Sequence, residues 1–274
     1  MKHISKITAI ALLATLSACE GSDMPIQQAD NHGYISFSAQ PQKTATRANP
    51  YEAYDPTRHP ATMGTFGYYD MPKRYASAAN TIFNNETATY NVATYGWDTA
   101  TKKRWTEYTK ASSFDFFAYM PYTGGATLLR TANNTYTLSF PFAMSDGGNP
   151  VPVIYDTKAA PIICAVPSSK GAISDSNGGG TVSLKFDQTL TGYKLLFMLG
   201  TKMNAIRHFR IKSVTLSGSF STSCTISRSY VWNTTSKSWS ASAITWSDIK
   251  RQSFVETPFP IAYKGYGFAD YDRS

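Results

Sequence analysis

The stretch Phe114-Asp-Phe-Phe-Ala-Tyr-Met-Pro121 has the composition of a β-strand, because it is short and four of its eight residues are aromatic. Similar short runs, alternating in hydropathy or rich in aromatic residues, recur between clusters of Gly, Pro, Asn and Ser. They occupy residues 34–39, 63–69, 87–95, 104–109, 135–142, 151–155, 162–166, 181–186, 193–199, 209–220, 224–230, 238–244 and 252–263. Only residues 73–83 have a pattern suited to a short helix. The sequence therefore predicts an all-β protein built from β-sandwiches.

Length and composition agree with this fold class. The chain has 274 residues, of which 42% are hydrophobic, 14% aromatic and only 16% charged. This composition is not that of a disordered chain or a coiled coil, and the length corresponds to about two domains. A Gly/Ser-rich stretch at residues 167–180 cannot bury much apolar surface and is typical of a flexible linker. We place the domain boundary there.

The charge pattern argues against a nucleic-acid partner. The formal net charge is +8, but the basic residues are scattered, and the tight runs are Lys102-Lys-Arg104 and Lys250-Arg251. Binding along a phosphate backbone needs a stripe of positive charge on one face of the protein. We interpret the two basic runs as solvated turns.

The N-terminus has the features of a lipoprotein signal peptide. Residues 1–18 combine a positively charged start with a short apolar stretch and a small-residue cleavage site. The ending Leu16-Ser-Ala-Cys19 is similar to a bacterial lipobox, in which the cysteine is acylated and becomes the new N-terminus; an ordinary secretory signal is the alternative. No other run approaches the length that spans a bilayer, so we expect membrane attachment through Cys19. The polar residues 19–32 predict a tether.

Two further cysteines, Cys164 and Cys224, lie far apart in the sequence and form no CxxC pattern. Export permits a disulfide between them. A pair of buried thiols is an equal alternative.

A search for catalytic and ligand-binding patterns finds none. The histidines outside the signal, His32, His59 and His208, form no zinc motif, and the chain lacks nucleophile-elbow, P-loop and dinucleotide-binding motifs. Asp270 and Asp272 are interpreted as solvated edge residues. We therefore expect no enzyme activity, no catalytic residue, no metal site and no cofactor. Paired carboxylates of a glycosidase can lie far apart in sequence, so a hydrolase stays a remaining alternative.

Two tryptophan-containing segments echo each other and suggest a second function. Residues 95–105 and 230–239 each carry two tryptophans around a polar turn, and each predicts a β-hairpin with its tryptophans paired across the strands. Coincidence in a chain rich in Trp and Thr is the alternative. If the tryptophan rings instead formed an exposed, coplanar platform, the protein would be a surface glycan-binding lipoprotein, which is the alternative function. The candidate stacking residues are Trp97, Trp105, Trp232 and Trp239.

Six segments, taken in order along the chain, carry a family resemblance. They are the lipobox at Cys19, the strand Gly33-Tyr-Ile-Ser-Phe-Ser-Ala39, the basic site Thr46-Arg-Ala48, the segment Phe83-Asn-Asn85 with Trp97 and Trp105 downstream, the strand Phe114 to Pro121, and Val182-Ser-Leu-Lys-Phe-Asp-Gln-Thr-Leu190. Together they resemble the fimbrillin family, the type V pilins and related surface lipoproteins of Bacteroidales. Gln188 stands where the family's V-x-L-x-F-x-H-x-L strand commonly has His.

The resemblance implies two transthyretin-like Greek-key β-sandwich domains in tandem, at residues 33–166 and 181–274. It also implies that a trypsin-like protease cuts the lipidated precursor after Arg47, so that Ala48 becomes the first residue. Residues 33–47 are then a removable first strand and its linker. The strand residues displaced in this way are Tyr34, Ile35, Phe37 and Ala39, of which the last three share one face.

The resemblance further implies a structural role at the cell surface. Loss of the first strand would leave an apolar groove with unpaired backbone groups, which a strand of the next pilin subunit can fill. The expected location is the outer membrane, with a lipid anchor at Cys19, and the fimbrium after processing. There the protein would support adhesion to ligands on host or bacterial surfaces. The second domain is short, with residues 265–274 as its candidate appendage, so an incomplete domain that does not assemble is an alternative.

Overall fold

The described part of the chain is all-β, which confirms the predicted fold class. The computed structural model describes residues 33–43, 50–71, 78–146, 149–150, 157–173, 179–191 and 215–256. Its strands are β1 Ser36–Pro41, β2 Thr62–Tyr69, β3 Thr81–Asn91, β4 Gly96–Thr99, β5 Ser113–Met120, β6 Thr127–Ala132, β7 Thr135–Ala143, β8 Ser145–Asp146, β9 Asn149–Pro150, β10 Ile162–Cys164, β11 Ser168–Gly171, β12 Thr181–Gln188, β13 Leu216–Asn233, β14 Ser238–Ala241 and β15 Thr245–Glu256. Short 3-10 helices lie at Ala78–Asn80, Trp105–Tyr108 and Thr157–Ala159.

Eight strands form one sheet that closes on itself as a barrel. Their order is β10-β12-β1-β4-β3-β2-β5-β11, and β10 also pairs with β5. This extra pairing closes a ring of seven strands. β11 is not part of the ring, because it pairs with the first half of β5, whereas β10 pairs with the last two residues of β5. The pairing of β1 with β12 is parallel, and the other pairings of this sheet are antiparallel.

The second sheet is built around one long strand. The order is β14-β13-β7-β6, and β15 pairs with β13 as well. β13 is 18 residues long, with β7 on one edge and first β15 and then β14 on the other. The two-residue strands β8 and β9 pair with each other. β13 extends past the end of β7, so its first residues pair with β15 alone among the described strands.

β5 lies at the centre of the core and is buried on both of its faces. Phe116 meets Phe37 of β1 with ring centroids 5.6 Å apart, whereas Phe117 meets Tyr230 of β13 at 5.4 Å. Successive strand residues point to opposite faces, so one face of β5 packs inside the barrel and the other packs on the second sheet. The buried residues of both sheets form a single hydrophobic cluster. This double burial explains why the aromatic run is apolar at nearly every position.

Strand pairing crosses the boundary that the sequence suggested at residues 167–180. β12 follows this stretch but pairs with β1 and β10 in the barrel, and β7 precedes it but pairs with β13 in the second sheet. β11 lies within the stretch and pairs with β5, while residues 174–178 lie outside the described residues. Each sheet therefore contains strands from both sides of the suggested linker.

One local prediction is wrong, and a second is wrong over its last three residues. Residues 104–109 were expected to form a strand, but Trp105–Tyr108 is a 3-10 helix. Glu107 folds back to accept a hydrogen bond from the backbone N–H of Arg104 at 3.0 Å, which satisfies the start of this turn. The last residues of the helix expected at 73–83 begin β3 and pair with β2 instead, and residues 72–77 lie outside the described residues.

Candidate functional site: the first strand and its slot

The first strand, β1, is an internal strand of the barrel sheet, with a paired strand on each side. It pairs with β12 over six residues, from Ser36 opposite Thr181 to Pro41 opposite Phe186. On its other side it pairs with β4 through Phe37. A strand held in this way leaves two unpaired backbone edges when it is taken out. We call the space that β1 occupies between β12 and β4 the strand slot.

Alternate residues of the first segment fill the slot with apolar side chains. Ile35, Phe37 and Ala39 are only 3%, 1% and 4% exposed. The ring of Phe37 meets Phe83 and Phe116 edge-on, with centroids 5.8 and 5.6 Å apart. Complete burial of an Ile or Phe side chain contributes about 1.5–3 kcal/mol. The segment is therefore anchored mainly by the two large side chains.

The beginning of this segment is held by residues that precede the 3-10 helix at Trp105–Tyr108. The backbone N–H of Ile35 donates to the carbonyl of Lys103 at 2.8 Å. Nη2 of Arg104 donates to the hydroxyl of Tyr34 at 2.9 Å, and its guanidinium lies 4.7 Å from the centre of the Tyr34 ring. Because the Arg104 contacts are exposed to water, we expect them to align the segment more than they stabilise it.

The end of β1 continues into a short paired segment. Lys43 donates its backbone N–H to the carbonyl of Pro50 at 2.5 Å, and Gln42 forms a β-bridge with Tyr51. These contacts bring residues 41–43 beside residues 50–52, and the intervening residues 44–49 lie outside the described part.

The predicted modification sites fall outside the described residues. Arg47 and Ala48, the predicted processing site, belong to residues 44–49, and Cys19, the predicted acylation site, belongs to residues 1–32. Their roles stay predictions. The chain on either side of Arg47 is nevertheless placed, because both flanking segments are paired as described above.

An ion pair next to the slot joins the barrel to the second sheet. Arg228 of β13 donates from Nη1 to Asp187 of β12 at 2.7 Å and to the carbonyl of Cys164 at 3.3 Å. The other oxygen of Asp187 accepts a hydrogen bond from the hydroxyl of Tyr51 at 3.0 Å. Burial and this bond to the carboxylate raise the pKa of Tyr51 to about 12. The residues that follow β1 are thereby tied to both sheets.

Asp115 is a second polar contact between the sheets, and its hydrogen bonding is incomplete. The residue is 2% exposed, and its Oδ1 accepts hydrogen bonds from the hydroxyl of Ser169 and from the indole N–H of Trp239. Its Oδ2 is buried and has no hydrogen-bond partner among the described residues. Burial raises the pKa of Asp115 to about 6, because the two hydrogen bonds only partly offset the loss of water.

Trp97 and Trp105 are core residues, which removes them as candidates for stacking on sugars. They are 3% and 2% exposed. The expected hairpin at residues 95–105 is also wrong, because the turn lies at residues 92–95 and Trp97 pairs with Tyr90 of β3. The short-range pattern predicted two tryptophans paired across a hairpin, whereas the fold places both indoles in the core.

Trp232 and Trp239 face each other across β13 and β14, as the hairpin prediction for residues 230–239 required. Their ring centroids are 5.3 Å apart with the planes at 60°. The indole N–H of Trp239 is already bonded to Asp115. This pair is a hairpin contact and does not present the coplanar platform that glycan stacking requires.

The two remaining cysteines are free thiols in the structure, so the disulfide alternative is not realised. Cys164 is fully buried, and its Sγ lies 2.9 Å from the hydroxyl of Tyr230. Burial raises the pKa of the Cys164 thiol to about 11. A thiol in this environment is unreactive near neutral pH.

The strand slot is defined by its geometry. Within the described residues, no group of three or more His, Cys, Asp or Glu side chains is arranged to hold a metal ion. No helix in the same part of the chain has the length and hydropathy required to cross a membrane. Comparison with known proteins finds no matching family model, no matching curated protein and no matching solved structure.

The sequence locates the first strand but not the residues that receive it. Val182, Leu184 and Phe186 of β12 are fully buried, and their alternation did predict a strand. No local signal shows that β12 lies beside β1, because the paired residues Ser36 and Thr181 are 145 positions apart.

Proposed function

We propose that this protein is a fimbrial structural subunit, or a related fimbrillin-like cell-surface protein, whose first strand is removed and replaced during assembly. The chain is exported as a lipoprotein acylated on Cys19, reaches the outer membrane and is cut after Arg47. Its partners are other pilin subunits, and the assembled fimbrium supports adhesion. The finer fold assignment, two transthyretin-like Greek-key β-sandwiches in tandem, is part of the same proposal.

The position of β1 is the single observation that carries this proposal. β1 precedes the other described strands in the chain, so one cut after it would release it without breaking the rest of the barrel. Its departure would expose Phe83 and Phe116 together with the backbone edges of β12 and β4. An exposed apolar groove with unpaired backbone groups binds an extended strand of matching pattern.

The slot also defines what a replacement strand must look like. In the register of β1, the strand runs parallel to β12 and places a branched aliphatic, an aromatic and a small residue at alternate positions. These correspond to Ile35, Phe37 and Ala39. A strand without the aromatic residue would leave the space between Phe83 and Phe116 unfilled.

The decisive test is controlled cleavage of the purified full chain by a trypsin-like protease. We expect a product that begins at Ala48 and that forms multimers, seen by size-exclusion chromatography and electron microscopy. Arg47→Ala should remain monomeric under the same conditions. Arg58→Ala, which removes an exposed arginine eleven residues later, should still be cut after Arg47 and assemble. Cleavage after Arg47 without multimers would overturn the assembly step.

A second test uses the native host, in which the N-terminus of cell-bound protein is compared by mass spectrometry with that of material sheared from the surface. A sheared, high-molecular-weight species beginning at Ala48 is the expected result. Protein that is always acylated at Cys19, cell-bound and monomeric would contradict the proposal. It would point instead to an anchor subunit or a surface-binding lipoprotein.

A further inference from the structure

The second sheet has a cleft where β7 ends. β7 stops at Ala143, whereas β13 and β15 continue past it as a pair. The step between them opens a cavity of about 400 Å³. Its walls include Lys250, Arg251 and the hydroxyl residues Ser145, Thr222 and Ser223. We call this cavity the basic cleft.

Two β-bulges lie beside the basic cleft. β13 carries one extra residue, Thr222, between the two residues that pair with Arg251 and Lys250 of β15. Between Lys250 and Ser247, the extra residue lies on β15, where Asp248 has a φ of +50°. Bulges interrupt the ladder and redirect the neighbouring side chains, and they are frequent next to functional sites. Lys250 and Arg251, which the sequence predicted to form a solvated turn, therefore belong to a strand whose hydrogen-bond ladder is interrupted by bulges.

The described carboxylates do not neutralise the positive charge of the basic cleft. Lys250 and Arg251 are exposed, and neither forms an ion pair with a carboxylate of the described residues. The nearest acidic residue on the same strand, Asp248, accepts hydrogen bonds from the hydroxyls of Thr225 and Ser247 at 3.0 and 3.1 Å. Among the described residues that line the cleft, none is acidic. The site is therefore suited to an anionic group.

Hydroxyl groups stand next to the two cations. Ser145 and Ser223 line the same cavity together with Thr222, which is 6% exposed and whose hydroxyl donates to the carbonyl of Lys250 at 3.4 Å. The backbone around them is fixed because Met144 donates its N–H to the carbonyl of Thr222 at 2.8 Å. Hydroxyls both donate and accept hydrogen bonds. A ligand that carries hydroxyls beside an acidic group would find a partner for each.

We propose that the basic cleft binds an acidic carbohydrate. Lys250 and Arg251, consecutive residues whose side chains point to opposite faces of β15, engage separate carboxylate or sulfate groups of the ligand, and Ser145 and Ser223 bond to sugar hydroxyls. The planar guanidinium of an arginine suits both acidic groups, because each presents two oxygens in one plane. Nucleic acid fits less well, since two cations do not form the stripe that follows a phosphate backbone. The site lies on the second sheet and does not depend on removal of β1.

The test is isothermal titration of the full chain at low salt with two probes and a neutral reference. The probes are a heparin-derived hexasaccharide, which carries sulfates, and a galacturonate hexamer, which carries only carboxylates; the reference is maltohexaose. We expect binding of at least one acidic probe, weakened tenfold or more in the double variant Lys250→Ala/Arg251→Ala. Preference for one probe identifies the acidic group, and maltohexaose should not bind measurably.

Two controls separate a specific site from general charge attraction. Lys102→Ala/Lys110→Ala removes two exposed lysines on the barrel and should change the affinity less than twofold. Lys250→Arg/Arg251→Lys keeps both charges and should retain most of the binding. The alanine variant should unfold at the same urea concentration as the native chain, which shows that it did not lose binding by misfolding. Equal weakening by the two alanine double variants, or no binding of either acidic probe, would overturn the proposal.

Discussion

β1 and β15 are both ladder-paired strands, but they are held in the molecule by different forces. β1 has neighbours on both edges, and its apolar side chains are 1–4% exposed. Among the described strands β15 pairs only with β13, and its residues 245–253 are all exposed. Trp246, for instance, is 47% exposed. Packing dominates at β1, whereas the backbone ladder dominates at β15.

This difference separates two kinds of surface in one protein. A slot lined by aromatic side chains binds its strand through burial, which is roughly proportional to the apolar area removed from water. An exposed strand with bulges and charged residues resists further strand pairing and leaves its side chains free for polar ligands. The proposed assembly site and the proposed carbohydrate site thus rest on opposite properties of β-strands.

The largest expected effect comes from truncating Phe37, the most buried side chain of the strand slot. Phe37→Ala should lower the free energy of unfolding by about 3–5 kcal/mol, because it leaves a cavity between Phe83 and Phe116. Urea denaturation of the full chain measures this loss. Phe37→Leu should recover most of the stability. A loss below about 1 kcal/mol would show that β1 is not held by packing.

The next effect is a pH dependence at the buried carboxyl that joins the sheets. The pKa of Asp115 is raised from 3.8 to about 6 in the folded protein, so the unfolded chain ionises first as the pH rises. The contribution of Asp115 to the free energy of unfolding is therefore greatest below about pH 4, falls between pH 4 and 6, and stays low above pH 6. The full change is at most about 3 kcal/mol.

Asp115→Asn isolates this contribution from those of other carboxyl groups. The stability of the variant minus that of the native chain should become more positive from pH 4 to pH 6, because the amide cannot ionise. Thermal or urea unfolding across this range gives the difference. A difference that does not vary with pH would contradict the assignment.

A smaller effect is expected where Gly179 closely approaches the buried Trp105. A Cβ at Gly179 would overlap the indole of Trp105, whose N–H donates to the carbonyl of Gly180 at 3.2 Å. Gly179→Ala should therefore cost about 1–3 kcal/mol through overpacking. Gly171→Ala is the matched control, since nothing lies within 4 Å of a Cβ built there. Equal unfolding midpoints in urea for the two variants would contradict the close packing.

The smallest effect is expected on the exposed strand. Trp246→Ala should change the free energy of unfolding by no more than about 0.5 kcal/mol, as is usual for surface positions. The same urea experiment that is used for Phe37→Ala gives the comparison directly. A loss comparable to that of Phe37→Ala would mean that β15 is also held by packing, and the contrast between the two strands would disappear.

Several features of this molecule follow from local sequence. The alternation at residues 34–39 and 181–186 predicted strands that the structure contains at Ser36–Pro41 and Thr181–Gln188. The polar turn between Trp232 and Trp239 predicted their cross-strand pairing. Such features depend on side-chain periodicity and turn residues, which act over a few positions.

Other features could not be predicted in this way. Trp105 was predicted to pair with Trp97 across a hairpin, yet it begins a 3-10 helix and is 2% exposed, packed against Phe114 and Phe116. Asp115 looked like one polar residue in an aromatic run, yet it bridges β5, β11 and β14. Both outcomes depend on residues that are distant in sequence and adjacent only in the fold.

The amino-acid sequence by itself determined that this protein is all-β and located several of its strands, because period-two patterning and aromatic content act locally. Only the tertiary structure decided the strand partners: β12 beside β1, closure of the barrel through β10 and β5, and the second sheet packed on β5. Pairing between distant strands depends on the whole set of faces that must be buried together, and no single segment encodes that set. The strand slot and the basic cleft are both products of that pairing.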